Sequence, residues 1–155
     1  MSNKPEEGSF PPLTCDELLY RPIIYEYWID RRTGAVKPHA FRRRAADRHG
    51  LSVNLVSSYS ILECVECTDY TECFAVGTLH VGCIRDITLR DGICALLDVH
   101  QDSPTHANIL GLPAKDQTGP PHDENREHLA NLLARQWRSV WRSLKVRPRK
   151  SSLEV

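Results

Sequence analysis

The strongest structural signal in the chain is an apolar stripe near its C-terminal end. Its members recur at intervals of three and four residues, the spacing that places side chains on one face of an α-helix. Acidic residues precede the stripe and basic residues follow it, as the helix dipole favours. The pattern predicts a long amphipathic helix over residues 123–146, ended by Pro148, that packs on another layer. The stripe consists of Leu129, Leu132, Leu133, Trp137, Val140, Trp141 and Leu144.

The layer beneath this helix is predicted to be a β-sheet. In LSVNLV, residues 51–56, apolar and polar side chains alternate, so Ser52 and Asn54 share one face and the apolar residues the other. A helix is expected to begin at Ser57 or Ser58 and to run to Cys67. The chain is therefore predicted to be an α+β domain with a mostly antiparallel sheet and the long C-terminal helix packed on it. Further strands are predicted at 23–29, 73–81, 92–100 and 106–110.

Length and composition are those of one globular domain. The chain has 155 residues, 41% of them hydrophobic and 26% charged, which is enough to bury a sizeable core. Proline-rich and polar residues at 1–12 predict a flexible leader, 13–147 the domain, and 148–155 a tail. The formal net charge is zero, so global charge does not indicate binding to nucleic acid or to membranes.

The termini and the cysteines indicate a compartment. The first residues, MSNKPEEGSFPPL, have no apolar core of a signal peptide, and no segment approaches the length of a membrane span. Six cysteines in a chain without a secretory signal predict reduced thiols. These features together predict a cytoplasmic protein with no membrane partner.

Polar side chains on the predicted strands give the candidate site. If the strands form one sheet, Arg21, Ser52, Asn54, His106 and Asn108 are expected to line a single cleft. An arginine for a phosphate, a hydroxyl for a ribose and an imidazole suit a nucleotide. The alternative is a solvent-facing polar side of an antiparallel sheet, which carries such residues without any chemistry.

His106 is the candidate catalytic residue. It follows Pro104 and Thr105 and begins a predicted strand. Asp98 or Asp102 is expected to raise its pKa by charge proximity. A structural imidazole that hydrogen-bonds the turn and a general base are both compatible with this position.

The cysteine spacing raises the possibility of zinc. Cys64, Cys67, Cys73 and Cys83 supply four thiolates, the number that tetrahedral zinc needs. The first two, however, lie in a segment predicted as helix, and a second CxxC motif is missing. Thiols that pack as small apolar side chains are therefore the favoured interpretation, and no metal is expected.

Two basic segments suggest partners. Arg42, Arg43 and Arg44 lie in a predicted loop and offer a contact for nucleic acid, although a protein partner is favoured. Arginines also interleave with tryptophans in ARQWRSVWRSLK, residues 134–145, as in helices that bind membrane surfaces or other proteins. Because the tryptophans belong to the apolar stripe, a solvated arginine face is favoured there.

Several short motifs are similar to those of a group of small bacterial proteins of uncharacterised function. In order they are LYR, AF, LSVNL, VG, IR and a final D-x-P-x-HA-x-I-x-GLP. The resemblance spans about residues 18–113 and implies no reaction. The matching positions are Leu19-Tyr20-Arg21, Ala40-Phe41, Leu51–Leu55, Val81-Gly82, Ile84-Arg85, Asp102, Pro104, His106-Ala107, Ile109 and 111–113.

A looser resemblance connects the chain with ADP-ribosyltransferase-like and RES-type toxin domains. An early strand arginine, Arg21, followed by a strand serine, Ser52, is similar to the residues that help to hold NAD in those domains. No glutamate follows in a late strand, where His106 or Asn108 stands instead. The resemblance implies NAD as cofactor or substrate.

Two functional classes follow from the sequence. One is a small non-enzymatic binding or accessory protein of the bacterial cytoplasm that acts through its polar sheet face and basic loop, for instance in a toxin–antitoxin or defence system. The other is a nucleotide- or NAD-handling enzyme that uses Arg21, Ser52 and His106. The first is favoured because no complete catalytic set is visible in the sequence.

Overall fold

A six-stranded antiparallel sheet organises the part of the chain that the structure describes. The structure is a computed structural model, and it describes residues 10–43, 50–66, 72–89, 92–113 and 122–146. The strand order is β4-β5-β2-β1-β3-β6. The strands are β1 (Leu18–Ile23), β2 (Leu51–Leu55), β3 (Ala75–His80), β4 (Asp98–Gln101), β5 (His106–Leu110) and β6 (Arg138–Arg142).

Within the described residues three α-helices accompany the sheet, and the predicted α+β class is confirmed. They are α1 (Ile61–Val65), α2 (Val81–Arg85) and α3 (His122–Gln136). The apolar side chains of α3, Leu129 and Leu133, share one buried cluster with Leu19, Val53 and Ile109 of the sheet. We call the side of the sheet that α3 covers the helix face and the other side the outer face.

The alternation in β2 folds as predicted. Its odd-numbered residues Leu51, Val53 and Leu55 are buried on the helix face, whereas Ser52 and Asn54 are half-buried on the outer face. The predicted strand at 106–110 is confirmed as β5, which pairs with β2 over four residues. The predicted strand at 92–100 is shorter, since only Asp98–Gln101 joins the sheet.

β1 lies in the centre of the sheet although it contains Pro22. The strand was expected after the proline, but it occupies Leu18–Ile23, and a 3₁₀ turn at Glu26–Trp28 follows. The backbone N–H of Val56 donates to Leu18 O at 3.1 Å. Because hydrogen-bonded pairs recur at every second residue of an antiparallel ladder, Pro22 would face Ser52, where it has no N–H to donate.

The Arg21 side chain supplies the missing donor. Its Nη1 donates to Ser52 O at 2.8 Å, and its Nη2 donates to Ala40 O at 2.6 Å. Arg21 is only 7% exposed and lies on the helix face, between Leu19 and Ile23 of the same strand. A buried guanidinium thus joins β1, β2 and the 3₁₀ segment Pro38–Phe41.

The C-terminal stripe does not continue as one helix. α3 ends at Gln136, and β6 begins at Arg138 and pairs with β3. The helix predicted to residue 146 is therefore too long, and its tryptophans occupy opposite faces. Trp137 lies in the helix-face core, and Trp141 packs against a second cluster on the outer face that contains Tyr20, Cys64, Cys73 and Val76.

A capping box starts α1. The Ser60 hydroxyl accepts from Glu63 N at 3.0 Å, and Glu63 Oε1 accepts from Ser60 N at 3.2 Å. Ser57 and Ser58, the predicted N-cap residues, do not cap this helix. The Ser57 hydroxyl donates to Glu17, and the Ser58 hydroxyl donates to Pro104 O. In the described ranges, no helix has the length and apolar character needed to cross a membrane. The predicted tail and most of the leader lie outside the described residues.

Candidate active site

Four of the predicted site residues meet on the outer face where β2 and β5 run side by side. The register places Ser52 opposite Asn108 and Asn54 opposite His106. Because successive side chains of a strand alternate between faces, all four project to the same side. Ser52 and His106 are diagonal neighbours, a separation that a histidine side chain spans across an antiparallel pair.

Ser52, His106 and Asp102 form a continuous hydrogen-bonded relay. Ser52 Oγ lies 2.5 Å from His106 Nε2. On the other side of the ring, His106 Nδ1 lies 2.6 Å from Asp102 Oδ1. The histidine side chain is 31% exposed and the aspartate side chain 43%, so the relay lies at the surface, where a ligand can reach it.

The hairpin between β4 and β5 carries Asp102 to the ring. The backbone N–H groups of Asp102 and Ser103 both donate to His106 O, at 3.1 and 3.3 Å. The Ser103 hydroxyl accepts from His106 N at 3.0 Å. The hydrogen bonds of the turn are therefore made to His106, the residue whose ring Asp102 contacts. Asp102 itself comes directly after Gln101, the last residue of β4.

Asn108 fixes the second oxygen of Asp102. Its Nδ2 donates to Asp102 Oδ2 at 2.8 Å, and Asn108 is only 7% exposed. A buried donor restricts the rotation of the carboxylate, so Oδ1 stays directed at the imidazole. The chain thus places a hydroxyl, an imidazole and a carboxylate in one hydrogen-bonded series, together with an amide that positions the carboxylate.

The hydrogen-bond roles follow from the chemistry of the groups. An ionised carboxylate only accepts, so Nδ1 of His106 carries a proton that it donates to Asp102. In the neutral ring Nε2 is then an acceptor, and the Ser52 hydroxyl donates to it. This is the arrangement in which a histidine takes the proton of a serine nucleophile.

Asn54 offers a hydrogen-bond donor on the same face of the sheet as Ser52. It lies two residues beyond Ser52 on the same face of β2, roughly 7 Å along the strand. Its Nδ2 contacts Cys64 Sγ at 3.9 Å, and sulfur is a weak acceptor. The amide is therefore available to a stronger acceptor, such as an oxygen that gains negative charge during a reaction.

An apolar cluster borders the site. Tyr20 faces Asn54 across the β1–β2 pairing and is buried with Cys64 under α1. Burial and the neighbouring Cys64 both raise the pKa of Tyr20, so its phenol is neutral at physiological pH. On the other side His100 faces Asn108 and is exposed. The site thus lies where the polar part of the outer face meets the apolar part.

The structure does not bring Arg21 into this site. Its side chain lies on the helix face, and its guanidinium bonds Ala40 O and Ser52 O, as described above. The guanidinium also lies 5.8 Å from the Trp28 ring centre. A ligand on the outer face would have to pass through the sheet to reach it.

The three described cysteines of the predicted zinc set do not all meet at one place. Cys64 and Cys73 are buried in the outer-face cluster, and the Cys73 thiol contacts Ala75 O at 3.4 Å. Cys83 is exposed on α2, and Cys67 lies outside the described residues. No group of three or more histidine, cysteine or acidic side chains suited to a metal occurs within the described ranges.

The basic loop is partly engaged within the protein. Arg42 forms an ion pair with Glu127 of α3 at 2.7 Å, and Arg43 Nη1 donates to Leu112 O at 3.4 Å. Arg44 lies outside the described residues. The predicted contact of this loop with nucleic acid stays a prediction.

Comparisons of the chain with protein-family models, curated protein sequences and solved structures found no match. The candidate site therefore depends on its geometry alone. Sequence reasoning named Ser52, Asn54, His106 and Asn108 from strand alternation, but it considered Asp102 only as a charge near the histidine. The D-S-P-T sequence before β5 is typical of a tight turn. A turn there brings Asp102 back to the start of β5, and this signal could have identified Asp102 as the third member of the relay.

Proposed function

We propose that the protein is an enzyme that transfers an acyl group through Ser52, with an ester or a similarly activated acyl compound as substrate. The observation that carries the proposal is the relay from Ser52 Oγ to His106 Nε2 and from His106 Nδ1 to Asp102 Oδ1, at 2.5 and 2.6 Å. Serine alone is a weak nucleophile, and an adjacent base oriented by a carboxylate is the usual means of activating it.

Each residue has a defined role in the proposed reaction. Ser52 Oγ attacks the carbonyl carbon while its proton moves to His106 Nε2. Asp102 stabilises the resulting imidazolium, and Asn54 Nδ2 donates to the tetrahedral oxyanion. The intermediate then expels the leaving group, which takes the proton from His106. Water attacks the acyl-serine in the same way and regenerates the Ser52 hydroxyl.

The proposal retains part of the nucleotide-handling alternative. Ser52 and His106 take part in both the acyl-transfer reaction and the nucleotide-handling alternative. Arg21, the expected phosphate ligand of that alternative, lies on the other side of the sheet. An NAD-handling reaction would need another cation near the relay. Acyl transfer needs only the groups that the relay and Asn54 supply, which is why we favour it.

A non-enzymatic accessory role in a bacterial cytoplasm, with a protein partner, is the second proposal. It is supported by the exposure of the outer-face edge, where the His100 side chain is 64% exposed. In that role Asn108, Asp102 and His106 would only fix the β4–β5 hairpin. The two proposals differ in whether the Ser52 hydroxyl is reactive.

Labelling of Ser52 tests the proposed enzyme. The purified protein is treated with a fluorophosphonate probe, which reacts with activated serines, and the modified residue is identified by mass spectrometry. Hydrolysis of p-nitrophenyl esters is measured in parallel. We expect the probe on Ser52 and loss of both signals in Ser52→Ala. In His106→Gln the rate should fall by about 10²- to 10⁴-fold, the usual contribution of a general base.

Ser57→Ala is the matched control. Ser57 is exposed, and its hydroxyl donates to Glu17 rather than to an imidazole, so this variant should keep full labelling and activity. Absence of label from Ser52 in the folded wild-type protein, with ester turnover no faster than in Ser52→Ala, would leave the accessory role as the better account.

A further inference from the structure

A basic groove lies on the other half of the molecule, away from the relay. It runs between the last turns of α3, the edge strand β6 and residues 35–38, and its volume is about 390 Å³. This lies within the roughly 300–1,000 Å³ of typical small-molecule sites. Its polar lining is formed by Asn131, Arg135, Arg138, Ser139 and Arg142.

Three arginines line the groove, and none of them has a counter-charge among the described residues. None of its described lining residues is acidic, and no described carboxylate forms an ion pair with Arg135, Arg138 or Arg142. Two of these residues, Arg135 and Arg138, are exposed, so their guanidinium groups are accessible to a ligand. Uncompensated positive charge in a concave surface attracts anions.

Arg142 is the most constrained of the three. Its Nε donates to Ser139 Oγ at 3.1 Å, its Nη1 donates to Gly34 O, and its guanidinium lies 5.8 Å from the Trp137 ring centre. Burial lowers the pKa of Arg142, because removal from water disfavours the charged form of the guanidinium. These contacts hold the guanidinium in place and leave Nη2 without an acceptor among the described residues.

We propose that this groove binds a phosphorylated small molecule of about mononucleotide size. Guanidinium groups bind phosphate oxygens in pairs of parallel hydrogen bonds, which lysine cannot do. Asn131 and Ser139 add neutral hydrogen-bonding groups, and Val36, Pro38 and Trp137 add an apolar wall for the rest of the ligand. The three arginines line one groove of limited volume, which favours a compact phosphate over an extended nucleic-acid backbone.

Calorimetry with defined phosphates tests the groove. The full chain is titrated with pyrophosphate, with ATP and with a short RNA oligonucleotide. We expect saturable binding of pyrophosphate or ATP, and a loss of affinity of about tenfold in each of Arg135→Gln and Arg138→Gln, as for a lost hydrogen bond to a charged group. Both arginines are exposed, and circular dichroism would show that the variants are folded.

Arg31→Gln is the matched control. Arg31 is 80% exposed, pairs with Glu26 and does not line the groove, so this variant removes one charge and should bind like the wild type. The proposal is overturned if neither pyrophosphate nor ATP binds, or if the control loses as much affinity as the groove variants. Binding of RNA without binding of the small phosphates would also overturn it, in favour of a nucleic-acid surface.

Discussion

In the helix-face core, the indole ring of Trp137 fills the space that a side chain at Gly77 would need. A Cβ added at Gly77 would lie 1.9 Å from Trp137 Cε2, far closer than a van der Waals contact with the indole ring allows. Trp137 Nε1 donates to Arg21 O at 3.0 Å, so a buried hydrogen bond holds the ring against the strands. The lack of a side chain at Gly77 is therefore what lets Trp137, the first residue after α3, pack against the sheet.

Gly77→Ala should destabilise the protein strongly. The ring cannot retreat without losing its bond to Arg21 O, so we expect a loss of about 3 kcal/mol in the free energy of unfolding, in the upper part of the range for overpacked cores. Urea unfolding measures it. In Trp137→Leu the same glycine substitution should cost much less. Equal costs in the two backgrounds would show that the indole is not the obstacle.

The site residues that could be predicted from the sequence are those whose positions follow from local strand alternation. Ser52, Asn54, His106 and Asn108 follow from alternation along two strands, a local property. Arg21 follows the same alternation along β1, but it shares its face with Leu19 and Ile23 and therefore lies on the helix face. Its role is to replace the N–H that Pro22 lacks as a donor to Ser52 O. That role depends on which strand pairs with β1, which no local pattern contains.

At the scale of elements, an ion pair connects α2 with the edge strand β4. Arg85 Nε donates to Asp98 Oδ1 at 2.8 Å, and Asp98 Oδ1 also accepts from the N–H of Val99. Burial alone would raise the pKa of Asp98, but the hydrogen bonds and the charge of Arg85 outweigh it, so the pKa is lowered. The carboxylate is therefore stabilised in the folded state.

Asp98→Asn should make stability less dependent on pH. A lowered pKa contributes stability above the unfolded value of about 4, and this contribution is lost as the pH falls through the folded value. Because Asp98 is 44% exposed, we expect the variant to be only about 0.5–1 kcal/mol less stable at pH 7. The difference should vanish near pH 2–3 in urea unfolding. A difference of the same size at both pH values would mean that the charge of Asp98 is not responsible.

The C-terminal elements show where a periodic pattern is ambiguous. Residues at intervals of three and four predict a helix, and α3 obeys this up to Gln136. Beyond it, Trp137 and Trp141 keep the helical spacing but lie on opposite faces of the sheet, with one extra residue, Val140, at a bulge opposite Val76 and Gly77. The pattern fails there because strand pairing with β3, a distant contact, decides the conformation.

The whole sheet consists of two three-stranded halves that meet at a narrow seam. β1 pairs with β3 over six residues but with β2 at only two, Leu19 with Leu55 and Tyr20 with Asn54. The relay lies entirely on the half formed by β4, β5 and β2, and the basic groove lies at the edge of the other half. The Arg21 side chain crosses the seam where the proline ends the ladder, so it couples the two halves.

Arg21→Met should open this seam. The substitution keeps an unbranched apolar stem but leaves Ser52 O and Ala40 O without their donor, at a cost of about 2–4 kcal/mol for two buried acceptors. In hydrogen exchange, the amides of β2 and β5 should exchange much faster, while the pairing of β1 with β3 stays protected, because it contains the longest uninterrupted ladder. Exchange that accelerates equally in all strands would indicate global unfolding instead. In that case the two halves of the sheet would unfold as one cooperative unit. A ligand bound in the basic groove would then stabilise the half that carries the relay as much as the half that carries the groove.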